Sequence, residues 1–137
     1  MPSNVGAMTR RVFEIGGYVL VAAVVVQFFL AGLGIFGSAS LLYLHTTVGA
    51  LVIIVLAIAL VILGWLGKYD RLTVGIPGII IGMVLVQSLL LFPYHLGAPI
   101  AVRAISALHV VNGVAIFWVA LQLMDRVRFP RTAQASS

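Results

Sequence analysis

Four long apolar runs, broken by short stretches of glycine, proline and charge, leave this chain few folds to adopt. They lie at about residues 13–36, 41–66, 72–92 and 100–124. The breaks are Gly37-Ser38-Ala39-Ser40, Gly67-Lys68-Tyr69-Asp70-Arg71 and Pro93-Tyr94-His95-Leu96-Gly97-Ala98-Pro99, and Asp125-Arg126-Val127-Arg128 closes the last run. Each run has the ~20 residues a helix needs to cross ~30 Å of hydrocarbon. In lipid, only a helix satisfies its own backbone over such a run, and a barrel would show alternating segments of ~10 residues instead. Pro77 falls in the first turns of the third run, where a missing N–H costs least. The expected fold is all-α: an integral membrane up-down four-helix bundle in a single domain.

Composition fits a lipid bilayer. Charged residues make up 8% of the chain, against about 25% in soluble proteins, and the mean hydropathy is +1.23. There is no cysteine, which excludes disulfides, thiolate metal sites and iron–sulfur clusters. The apolar run after Arg10 and Arg11 exceeds the ~7–15 residues of a signal-peptide core, so cleavage there is not expected.

A net charge of +5 would suggest nucleic acid in a soluble chain, but here its placement reports topology. With the chain running up, down, up, down, Arg10, Arg11, Lys68, Arg71, Arg126, Arg128 and Arg131 fall on one side and Arg103 alone on the other. The positive-inside rule then places both termini in the cytoplasm of a multi-pass cell-membrane protein. Residues 1–11 and 125–137 become cytoplasmic tails, and Pro130–Ser137 reads as disordered.

The runs are also related in pairs. Val24-Val25-Val26-Gln27 matches Val84-Leu85-Val86-Gln87 at an offset of 60 residues, and Leu44-His45 to Gly49 matches Leu108-His109 to Gly113 at an offset of 64. Each half is therefore a helical hairpin, with Gln on the rising helix and His on the falling one. Two hairpins entering from the same side form a parallel repeat, with a pseudo-two-fold axis along the membrane normal. Gln27, His45, Gln87 and His109 then form one polar layer in the outer half of the bilayer.

An ionisable residue inside a span is costly and is a functional-site hypothesis by default. Neutral imidazole ligates haem iron through one nitrogen while its other N–H needs an acceptor. In an up-down bundle the second and fourth helices are diagonal, so His45 and His109 are expected to face each other across the core, as a bis-His b-type haem requires. Gln27 and Gln87 would line or orient the site. Gly49 and Gly113, one turn further in on the same faces, would clear room for a flat macrocycle. Arg103, at the outer mouth, would pair with a propionate or else snorkel at the interface.

The order of Gln, His, Gln and His over these spans resembles one four-helix half of haem A synthase. It also resembles small uncharacterised bacterial four-helix membrane proteins with the same repeat. The resemblance implies haem binding by a His pair. The chain holds one such bundle, with no counterpart of that enzyme's outer-loop cysteines or catalytic carboxylate, so haem A synthesis is not implied.

With both axial positions filled, electron transfer or haem holding is expected rather than oxygen chemistry, with a quinone or a redox partner subunit exchanging electrons. Two other readings use the same residues. In one, Gln27–His45 and Gln87–His109 form a packing lattice in a cofactor-free accessory subunit of a larger membrane complex. In the other, the polar layer serves a small transporter or a quinone site. Glu14, near Arg10 and Arg11, is expected to form an intrahelical ion pair, and Asp70 and Asp125 to be solvated charges. Gly75, Gly78 and Gly82 are expected to be a close-packing face, Trp65 an interfacial residue, Trp118 a deeper one facing lipid or core, and His95 a loop residue near the headgroups.

Overall fold

A computed structural model describes residues 4–129. The expected tail Pro130–Ser137, including Arg131, lies outside the described residues. The first span is one helix, α1 (Asn4–Phe36). The second is assembled from α2 (Ala39–Tyr43), a π-helical turn (Leu44–Gly49) and α3 (Ala50–Leu66). The third is α4 (Arg71–Leu89), followed by the short α5 (Phe92–His95). The fourth enters through α6 (Ile100–Arg103) and a 3₁₀ turn (Ala104–Ala107) and continues as α7 (Leu108–Arg128). Four helices are long and apolar enough to cross a membrane, at Val5–Phe36, Ser40–Leu66, Arg71–His95 and Ile100–Arg128.

These helices form an up-down bundle in which α1 and α4 each pack against both α3 and α7. The pairs α1/α4 and α3/α7 are therefore the diagonals. The seam follows a heptad, the pattern that lets helices stay in contact along a left-handed crossing. Buried positions on α1 are Phe13, Gly17, Leu20 and Val24, and each has a buried counterpart on α4 at an offset of 60, Thr73, Pro77, Ile80 and Val84; α4 also buries Ile76. Most side chains that face outward are apolar, as lipid requires; Trp65 and Trp118 are both largely exposed, so Trp118 lies on the outer surface rather than in the core.

The other two helices show why the second repeat is not perfect. Buried Ile53, Ala57, Leu60 and Gly64 on α3 match Ile116, Ala120, Leu123 and Val127 on α7 at an offset of 63, although His45 and His109 match at 64. One extra residue thus sits between His45 and Ile53. A π turn takes up such a residue without breaking the helix, and the Leu44–Gly49 turn lies there.

Most of the basic residues gather at one end of the bundle. Arg10 Nε donates to the Gly67 carbonyl at 3.0 Å and its guanidinium lies over the Tyr69 ring. Arg128 Nε donates to the Tyr18 hydroxyl at 2.8 Å, and Arg126 stands 3.9 Å from Asp70. Asp70 caps α4, its Oδ1 accepting the amides of Leu72 and Thr73 at 3.1 Å. The Thr73 hydroxyl also donates to Asp70, and this contact, more than any other, holds the carboxyl below its usual range. Asp70 is thus a helix cap as well as a surface charge.

Two expectations are overturned by the contacts. The one ion pair among the described residues is Arg126–Asp70; Glu14 does not pair with Arg10 or Arg11 but lies beside Tyr69, whose phenol is pushed up by burial first and by Glu14 next. Gly75, Gly78 and Gly82 touch nothing within the bundle, because their face of α4 points outward. The close approaches are elsewhere: Gly34 against the Leu42 backbone and Gly64 against Phe13.

Candidate functional site

His45 and His109 meet across the α3/α7 diagonal. Their ring centres are 6.0 Å apart and their planes are inclined by 71°. His45 sits on the π turn, and His109 on the first turn of α7. Each ring is held in the same way. The His45 Nδ1 lies 2.9 Å from the Gln27 carbonyl oxygen, and the His109 Nδ1 lies 3.1 Å from that of Gln87. A carbonyl can only accept, so each Nδ1 carries the proton and donates. This tautomer leaves the lone pair on Nε2.

The glutamine side chains do not contact the imidazoles through hydrogen bonds; their main-chain carbonyls do. The two amides then part ways. Gln87 Oε1 accepts from Asn112 Nδ2 at 2.6 Å, and the same nitrogen donates to the Met83 carbonyl at 2.9 Å, which ties α4 to α7. Gln27 Oε1 is buried with no partner. Ser106 Oγ, on the 3₁₀ turn, is the other such buried atom among the described side chains.

The repeated spacing of Gly after His has a different reason from the one expected. A Cβ on Gly49 would collide with the Gln27 amide, and one on Gly113 would lie 3.3 Å from the Phe28 ring and 3.4 Å from Gln87 Nε2. The glycines make room for neighbouring side chains, above all the glutamines, and so let the carbonyls of those residues reach the imidazoles.

A cavity of about 260 Å³ contains the pair. All four spanning segments line it, and its wall repeats across the pseudo-axis: Val24 with Val84, Gln27 with Gln87, and His45 with His109. His95 also lines it, although the sequence places this residue in a loop. Pro93 starts the short helix α5, which brings His95 back over the bundle. Arg103 is exposed on α6 and does not line the cavity.

The spacing of the two ring centres matches that of imidazoles sharing one metal ion. A metal bound to two imidazoles at ~2.0 Å per bond keeps their ring centres roughly 6 Å apart. Among the described residues no group of three or more His, Cys, Asp or Glu side chains could hold a metal ion. A two-His site suits a metal that brings its remaining ligands with it, as haem does.

Fold and site together define a four-helix membrane-spanning bundle with a half-buried, carbonyl-anchored His pair. The chain is similar to a family described as "Family of unknown function (DUF6220)", whose model matches residues 27–93, just under half of its length. The matched stretch contains Gln27, His45 and Gln87 and ends before His109. No curated protein and no solved structure matches the chain.

Proposed function

We propose that this chain is a membrane b-type haem protein with His45 and His109 as axial ligands, working in electron transfer or haem holding. The observation that carries the reading is the pair itself: two imidazoles 6.0 Å apart, each with Nδ1 given to a main-chain carbonyl. A hydrogen bond from the distal N–H fixes ring orientation and raises the basicity of the coordinating nitrogen. Gln27 and Gln87 supply that bond through their backbones, and Gly49 and Gly113 allow it. Bound haem would take up and release one electron. Val24, Val84, Ile53 and Ile116 line an apolar surround that limits water. A quinone or a partner subunit would exchange the electron at the outer half of the bilayer. The basic end of the bundle then faces the cytoplasm, with both termini there. The resemblance to one half of haem A synthase points the same way.

A second reading, a cofactor-free accessory subunit, is favoured by the Asn112–Gln87–Met83 link, which is an ordinary interhelical lattice. The unpartnered Gln27 Oε1 counts against it, because a packing lattice in the first half would have satisfied that atom. Electron paramagnetic resonance of the oxidised protein tests the haem reading. A low-spin ferric signal, lost on changing either histidine, is expected; no ferric signal in protein purified from haem-replete cells rejects it.

A further inference from the structure

The two histidines are equivalent in distance and anchor but not in support. His109 stands on an α-helical turn, and the helix carrying it is tied to α4 by Asn112, through Gln87 Oε1 at 2.6 Å and the Met83 carbonyl at 2.9 Å. His45 stands on the π turn, whose extra residue is held by the wider, less favourable i→i+5 pattern. On that side the amide of Gln27 makes no bond through Oε1, and the residue at the position matching Asn112 is Val48, which cannot supply one. Gln27 lines the cavity beside His45, so this side also holds a polar group with unused hydrogen-bonding capacity. Ser106, the other buried unpartnered atom, lies outside the cavity lining.

We propose that His45 is the exchangeable ligand and His109 the permanent one, so that a small neutral diatomic molecule binds on the His45 side, next to Gln27. This rests on the haem reading. With haem bound, His45 Nε2 would be the ligand that gives way to the incoming atom, with no electron moved, and the freed imidazole would keep its proton on Nδ1. The π turn supplies the motion, since passing its extra residue along the helix swings the residues it releases by about 100°. The Gln27 amide has no partner at Oε1 and can turn as the ligand enters, whereas the Gln87 amide is held by Asn112.

Two measurements on the full chain in detergent test this. The first needs no haem: hydrogen exchange of the apoprotein is expected to be roughly tenfold faster at Leu44–Gly49 than at Leu108–Gly113. Equal or slower exchange at the π turn overturns the proposal. Asn112→Val keeps both imidazoles and removes only the brace; it is expected to raise exchange at Leu108–Gly113 toward that of the π turn, and no change there contradicts the bracing role. The second uses carbon monoxide on dithionite-reduced protein. His45→Ala is expected to retain haem and bind carbon monoxide more tightly than the wild type, while His109→Ala loses haem. The reverse order, or equal behaviour of the two variants, overturns the proposal. A colourless wild-type protein removes the haem reading itself, and the exchangeable ligand with it, whatever the exchange rates are.

Discussion

His45 donates its Nδ1 proton to the main-chain carbonyl of Gln27, 2.9 Å away on the preceding helix, and the second hairpin repeats the bond between His109 and Gln87 at 3.1 Å. A duplicated hairpin has thus kept a main-chain contact, and the Gly that recurs with the His leaves room for the Gln side chain. The glutamine needs a small neighbour, and the glycine is that neighbour.

Gly49→Ala tests this directly. Its Cβ would strike the buried Gln27 amide, so the glutamine or the π turn must move. Overpacking of this kind costs about 1–3 kcal/mol. Gly113→Ala meets only tight contacts with Phe28 and Gln87 and is expected to cost less. Unfolding in mixed micelles should rank the two variants in that order.

Asn112→Val removes two interhelical bonds and leaves Gln87 Oε1 as bare as Gln27 Oε1. Interhelical hydrogen bonds in membranes contribute about 0.6–1.7 kcal/mol. A loss in that range is expected from the same unfolding assay, and a change within error contradicts the role given to Asn112.

At the basic end, Lys68 follows the last turn of α3 with φ at +56°, the left-handed region, and its amide bonds the Trp65 carbonyl while that of Tyr69 bonds the Gly64 carbonyl. This is the Schellman arrangement, in which glycine is normally found at that position. Lys68→Gly is therefore expected to raise stability by up to about 1 kcal/mol. Destabilisation by the glycine in a thermal melt contradicts this.

The Asp70 cap gives a pH dependence. Its carboxyl is held below the usual range, so the cap's contribution is complete above the ordinary aspartate value and is lost as pH falls through the lowered one. Stability is expected to be flat from neutral pH down to about 4 and to fall below it. Asp70→Asn should flatten that acid limb, because its amide still caps and does not titrate. An acid limb as steep in the variant as in the wild type counts against the cap.

Orientation is open to a labelling test, since the chain has no native cysteine. A cysteine placed at Lys68 is expected to react only from the cytoplasmic side, and one placed at Gly97 only from the other. Labelling of both from one side contradicts the bundle's topology, and a swap of sides contradicts the charge argument.

Much of this was written in the residues. Apolar runs, turn punctuation and the Gln/His offsets define the bundle, its doubling and the facing histidines, because lipid leaves helices little choice and heptad burial follows from packing. Finer features depend on contacts that letters do not carry. The π turn at Leu44–Gly49 shows in the sequence only as one residue of slippage between the His match and the core match. Asn112 follows His109 by three residues, but nothing in that spacing names Gln87 and Met83 as its partners. His95 looks like a loop residue in the sequence because the helix that brings it to the cavity, where it stays exposed, is the single turn Phe92–His95. Gly49 suggested room for a ring because its true neighbour, the Gln27 amide, comes from a helix far away in the chain.

The most direct measurement is the absorption spectrum of the full-length protein purified from haem-replete cells. The account predicts a Soret band with sharp visible bands on reduction, and loss of the low-spin bis-imidazole spectrum when either His45 or His109 is replaced by alanine. A colourless protein with full helical content, or a haem spectrum indifferent to both substitutions, would contradict it.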